Sequence, residues 1–358
     1  MVKKILPEYG ICRTQGVFCR LYGNSNCGKS QGLSQNKFCP AVDKEKGNSA
    51  LLVIRAEICY NKSTEIKGGK PSRKLCYIKV MNMSNYREGK WAQQIISMQH
   101  TDGGWGCFHT LRRDSDTPIT TEKALFRLEL LGYTAEDECI KKSIAYMETL
   151  LYTGTLPEGE ERTSDFKTFV DLIVATRIRR FTDQSILANA VAAKWANIIT
   201  QAFSDGAYSQ INYDWCYTQT FGRKPNGGRL TDFVNFYQLS LLVNMLDKQT
   251  ESLMIDYVLK RENGIYYVYE KCLDSVPCEF QSKKASHYLA AIELLSGYKC
   301  GKEKLSFAFD WLKKNQQSDG TWDMGVTAKD EVYFPLSDRW DKTTRIVDST
   351  HRISKLLY

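Results

Sequence analysis

The chain has 358 residues, 42% hydrophobic and 25% charged, with twelve cysteines and a formal net charge of +8. No apolar run approaches the roughly 20 residues that a membrane span needs, so the composition excludes a spanning chain and describes a globular one, long enough for one large or two ordinary domains. Residues 1–80 hold 15 basic and 5 acidic side chains, so the basic excess belongs to that segment, and the remainder gives no reason to expect nucleic-acid binding.

Taken from the start, Met1-Val2-Lys3-Lys4 has the charge of a signal-peptide opening, but Ile5-Leu6 runs at once into Pro7-Glu8. There is no h-region, and a cytoplasmic location is expected. Cys12, Cys19, Cys27, Cys39, Cys59 and Cys76 form no Cys-x-x-Cys pair, so neither a zinc knuckle nor a disulfide framework is expected of them. Helix periodicity begins just after Met81 and Met83. Residues 1–82 are therefore expected to be a basic, cysteine-rich, poorly ordered extension, and 83–358 the folded domain.

From there the apolar spacing predicts an all-α chain of ten helices, over 87–98, 123–131, 136–151, 165–181, 185–203, 231–247, 251–261, 283–296, 302–315 and 344–357. No sheet is expected. The stretches 107–119, 209–230, 267–281 and 323–343 read as long loops, and the links after Gly132, Thr182, Lys248 and Tyr298 as short ones that make neighbouring helices antiparallel.

One turn recurs. Gln99-His100-Thr101-Asp102-Gly103-Gly104-Trp105 returns as Gln316-Gln317-Ser318-Asp319-Gly320-Thr321-Trp322, both fitting Gln-x-x-x-Gly-x-Trp at the end of an apolar-periodic run. Asp205-Gly206-Ala207-Tyr208 and Asn263-Gly264-Ile265-Tyr266 keep the turn with a phenol in place of the indole, and Gly154 marks a fifth position without the aromatic. The spacing implies about five stacked units, each of roughly 50 residues and unable to bury its apolar face alone. The glycine supplies the positive-φ position that closes a helix end, and the ring after it is a large plate expected to wedge between units.

Helix pairs joined through Gln-x-x-x-Gly-x-Trp turns resemble the repeats of the squalene and oxidosqualene cyclases and of the protein prenyltransferase β-subunits. The resemblance covers about 87–358. It implies an α/α toroid in which one helix of each pair lines the inside, with an apolar pocket at one end. The catalytic motifs carry over poorly. Cyclases of this kind protonate an alkene with the middle Asp of Asp-x-Asp-Asp, and Asp114-Ser115-Asp116-Thr117 lacks the last one. The prenyltransferases hold zinc through an Asp, a Cys two residues on and a distant His. Asp137-Glu138-Cys139 has that local spacing, but nothing brings it near His287 or His351, and no metal or other cofactor is expected.

If the second helix of each pair is the inner one, the polar residues near its start face the pocket. These are Glu122, Asp171, Asp232, His287, Asp348 and His351, the candidates for chemistry. Aromatics of the long loops and helix starts are the candidates for binding: Tyr213, Trp215 and Tyr217 on one loop, Phe236, and Tyr333, Phe334 and Trp340 on another. Such plates suit an apolar or cationic ligand and suit sugar stacking equally well. Three functions stay open at this point: a protein acting on or binding an isoprenoid-like apolar ligand, a carbohydrate-active toroid enzyme, and a non-catalytic binding or scaffold protein whose partner is a peptide.

Overall fold

The computed structural model describes residues 84–159, 165–227 and 231–358. The chain divides into two compact regions; one, Asn24–Tyr77, lies outside the described residues, as does the extension expected over 1–82. All that follows concerns the other region.

Among the described residues the structure is helical, with no strand and only two isolated bridges, Asn235 with Tyr266 and Ile265 with Tyr269. In chain order the helices of six or more residues are α1 (Lys90–Ser97), α2 (Thr121–Leu130), α3 (Glu138–Thr153), α4 (Phe166–Arg179), α5 (Ile186–Ala202) and α6 (Gln210–Phe221). There follow α7 (Phe236–Leu241), α8 (Lys248–Lys260), α9 (Lys283–Ser296), α10 (Ser306–Lys314) and α11 (Lys342–Leu357). Many starts are set by a local cap: the side chains of Thr120, Ser185, Asp247, Ser282 and Asp341 each accept from a first-turn N–H. No helix of the described residues is long and apolar enough to cross a membrane.

Two predicted elements need correction. The stretch 209–230, expected to be a loop, contains α6, which Ser209 caps and Gly222 ends in the left-handed conformation, φ 69°. Its buried face is Tyr213, Cys216 and Tyr217, an i, i+3, i+4 stripe. The helix expected over 231–247 is real only as the short α7. Before it, Tyr266 and Phe236 donate their N–H groups to the carbonyls of Val234 and Tyr266, so the chain is extended there; after it, Asn244 turns left-handed at φ 64°.

The two full turn motifs are superimposable bond for bond. Trp105 Nε1 donates to Ile95 O and Trp322 Nε1 to Leu312 O, each at 2.7 Å. Gln99 Nε2 donates to Gly103 O at 3.0 Å, and Gln316 Nε2 to Gly320 O at 2.8 Å. The backbone N–H of each tryptophan reaches a threonine hydroxyl on the second helix, Thr121 or Thr350. The glutamine thus donates to a carbonyl of the turn, and the indole N–H is a second donor to a carbonyl at the end of the preceding helix, which Met98 N or Asn315 N also reaches. Both indoles are fully buried.

The first turn also docks on the next helix. Gln99 Nε2 reaches Cys139 O and Ser143 Oγ, and Ser143 Oγ donates to Gly103 O. Gly103, at φ 100°, lies so close to α3 that a Cβ there would run into the Lys142 carbonyl. The weaker copies keep their positive-φ glycines, Gly206 and Gly264, and Gly154 ends α3 at φ 69°.

Core packing runs through α4, whose residues 172–178 are all buried, as expected of a helix that is apolar nearly all round. It packs on α2, α3, α5 and α7, and α7 packs on α9. From α11, Arg352 forks onto Glu293 of α9 at 3.0 and 2.6 Å. From α2, Arg127 donates to Pro335 O, just before α11, and Phe126 sets its edge against Tyr333. The first and last of the described residues are tied as well. Tyr86 Oη donates to Asp348 Oδ1 at 3.0 Å, and the backbone N–H groups of Lys90 and Trp91 reach the Asp338 carboxylate.

Candidate functional site

The start of α2 is where charge is gathered. Residues 107–110 run beside it, with Thr121 N and Glu122 N donating to Cys107 O and Phe108 O. The Glu158 carboxylate accepts from the backbone N–H groups of Phe108, His109 and Thr110 and pins this segment. His109 is thereby set over Glu122, its Nδ1–H donating to Glu122 Oε2 at 2.6 Å. On the other side Arg177 Nη2 of α4 donates to Glu122 Oε1 at 3.0 Å. Burial alone would raise the Glu122 carboxyl, but Arg177 and then His109 outweigh it and hold the group at about 2. Glu122 is therefore a fixed anion at neutral pH, too weak a base to exchange protons with a substrate.

Aromatic rings frame this pair. Arg177 lies over the rings of Phe126 and Phe236, 5.4 and 4.7 Å from their centroids, a cation–π arrangement. His109 meets Phe169 and Tyr237 edge-on. Burial, with the Glu122 charge behind it, pushes the Tyr237 phenol well above its ordinary range, so it stays a neutral donor. Phe126 leads across to Tyr333, which meets His287 edge-on at 5.3 Å and lies under Arg352 at 5.4 Å. His287 Nδ1–H donates to Val268 O, and its Nε2 stands 3.9 Å from Asp330 Oδ2. Asp330 in turn accepts the N–H groups of Val332, Tyr333 and Phe334 and so sets the position of Tyr333.

Of the residues predicted to converge, Glu122, His287, Phe236 and Tyr333 belong to this centre. Phe334 lies beside it, under Arg352 at 4.5 Å. The others are placed elsewhere. Asp171 is paired with Lys167 of its own helix, and burial raises its carboxyl against that pairing. Asp348 is fully buried and accepts from Tyr86, Leu336, Ser337 N and Ser337 Oγ, holding a loop and not facing a ligand. His351 meets Tyr86 edge-on, its basicity lowered by burial and then by Lys355 and Arg352.

Asp232, the first choice for a catalytic role, precedes α7 instead of lying in its first turns. It turns the backbone through Val234 N and pairs with Arg261 at 2.7 Å in a partly exposed position. Asp232→Asn is expected to cost under about 1 kcal/mol, a small fall in denaturation midpoint with the slope unchanged. A loss of several kcal/mol would contradict that placement.

The aromatic cap expected from 213–217 is also corrected, because these residues are helical. Tyr213 and Tyr217 face the core against Trp195 and Phe233, and Trp215 points outward at 60% exposure. Trp340 packs on Phe334 and donates to Val326 O. Asp137, considered for zinc, accepts from Arg87 and from Thr134 N.

His109 and Arg177 were missed in the sequence reading. Arg177 carried a signal: it sits within Ile173-Val174-Ala175-Thr176-Arg177-Ile178, where an apolar helix face has one cation. His109 carried none beyond its place in a long loop. Compared with protein-family models, with curated proteins and with solved structures, the chain matches none.

Proposed function

We propose that the protein is an α/α toroid similar to the terpenoid cyclase and prenyltransferase repeats, and that it binds an apolar, isoprenoid-like ligand among the aromatic side chains around Arg177. The fold part rests on the bond-for-bond identity of the two Gln-x-x-x-Gly-x-Trp turns and on second helices that touch in series from α2 to α11. A single observation carries the ligand part. Phe126 of α2 and Phe236 of α7 flank a buried arginine, Phe169 of α4 meets the neighbouring His109, and all three are only partly buried.

Binding is favoured over cyclisation by the side chains that a cyclase would need. Asp114 and Asp116 are solvent-exposed and paired with Arg112 and His100, so neither is the desolvated acid that alkene protonation requires. Native mass spectrometry of the full chain purified from its own host is expected to show a co-purifying apolar small molecule. A sugar would replace this reading with a carbohydrate-active one, and a peptide with a scaffold.

A further inference from the structure

Two arginines in the centre of the helical region are more than nine-tenths buried and incompletely partnered. Arg177 is 5% exposed; Nη2 is bound to Glu122, while Nε and Nη1 find no hydrogen-bond partner among the described residues. Arg352 is 5% exposed; Nε and Nη2 are forked onto Glu293, while Nη1 has no partner among the described residues. A buried N–H left unmade loses its hydration without return, and the penalty is larger on a charged group. Both side chains border the same aromatic pair. Arg177 lies over Phe126, Arg352 over Tyr333, and Phe126 and Tyr333 meet edge-on at 5.6 Å.

We infer that the ligand of this site carries a carboxylate, accepted by the open N–H groups of Arg177 with Arg352 on the far side of the Phe126–Tyr333 pair, and that its apolar body lies against the rings. The inference rests on the proposed binding of an apolar ligand and adds its polar end. Charge decides the class. Each arginine is already matched by one carboxylate, Glu122 or Glu293, so the site has spare donors but no large surplus of positive charge. A monoanion takes up those donors at a smaller electrostatic cost than a phosphate dianion. A neutral alcohol offers only a single oxygen and no charge to strengthen the bond.

The test is calorimetric titration of the full chain with dodecanoate, dodecanol and dodecyl phosphate, each below its micelle threshold. Dodecanoate is expected to bind at least about tenfold more tightly than dodecanol. Arg177→Gln should abolish that preference. Equal affinities of the acid and the alcohol for the native chain would overturn the carboxylate and leave the apolar reading standing. Tighter binding of dodecyl phosphate would overturn it in favour of a phosphate. Failure of all three to bind would sink the apolar-ligand reading itself. Should Arg177→Gln not fold, the comparison of head groups on the native chain decides alone.

Discussion

Trp322→Ala is expected to destabilise the protein by about 3 to 5 kcal/mol, the range for removing a fully buried large aromatic. The side chain fills the angle between α10 and α11, and its N–H closes the Leu312 carbonyl. Truncation opens a cavity and removes that bond, while Asn315 N still reaches the same carbonyl. For a region of this size the fall in Tm should be on the order of 10 °C. Asp116→Ala is the matched control, since its side chain is 71% exposed and pairs with His100 at 3.4 Å; it should cost under about 1 kcal/mol. Paired melts compare the two. Similar losses would remove the structural account of the repeated turn.

Glu122→Gln should have an effect of comparable size and a distinctive dependence on pH. The carboxyl titrates near its ordinary 4.5 when unfolded and at about 2 when folded. Its folded pKa is depressed, so its contribution is complete above pH 4.5 and is lost as pH falls from 4.5 toward 2. The difference corresponds to about 3 kcal/mol. At pH 7 the substitution leaves Arg177 charged, buried and without its counter-ion, expected to cost about 3 to 5 kcal/mol. At pH 3 the native carboxyl has already forfeited part of its advantage, and the gap between native and variant should narrow by about 2 kcal/mol. Urea titrations at the two pH values measure this. An equal gap at both would mean that the ionised carboxylate is not what the pair depends on.

What could be read in the sequence was what local chemistry fixes. The tryptophan turns were legible because the bonds that both copies share join residues within ten positions, apart from the one to the following threonine. The helix expected over 283–296 is α9 with the same bounds, since Ser282 caps it and its apolar stripe is unbroken. By contrast α6 is built from Asn212, Tyr213, Asp214, Trp215, Tyr217 and Thr218, residues of middling helix propensity. Burial of Tyr213 and Tyr217 makes it helical, and that is a tertiary effect. The predicted 231–247 helix failed for the opposite reason: Phe233, Leu242 and Leu246 are all buried, but by irregular chain on either side of α7.

At the site, Glu122 was legible because an acidic residue at a helix start has a local rationale. Its partner Arg177 lies 55 residues away and belongs to another helix. No pattern along the chain joins them, and only the packing of α4 on α2 does. The same holds for Arg352 and Glu293, 59 residues apart.

The ties from Tyr86 to Asp348 and from Lys90 and Trp91 to Asp338 join residues 247 to 262 positions apart. In a linear stack of helix pairs, each end unit has one neighbour, and the array frays from its ends. Here the first described residues are bonded to α11 and to the loop before it. Fraying at one end of the described residues therefore breaks bonds at the other, and damage to α11 would be felt at α1.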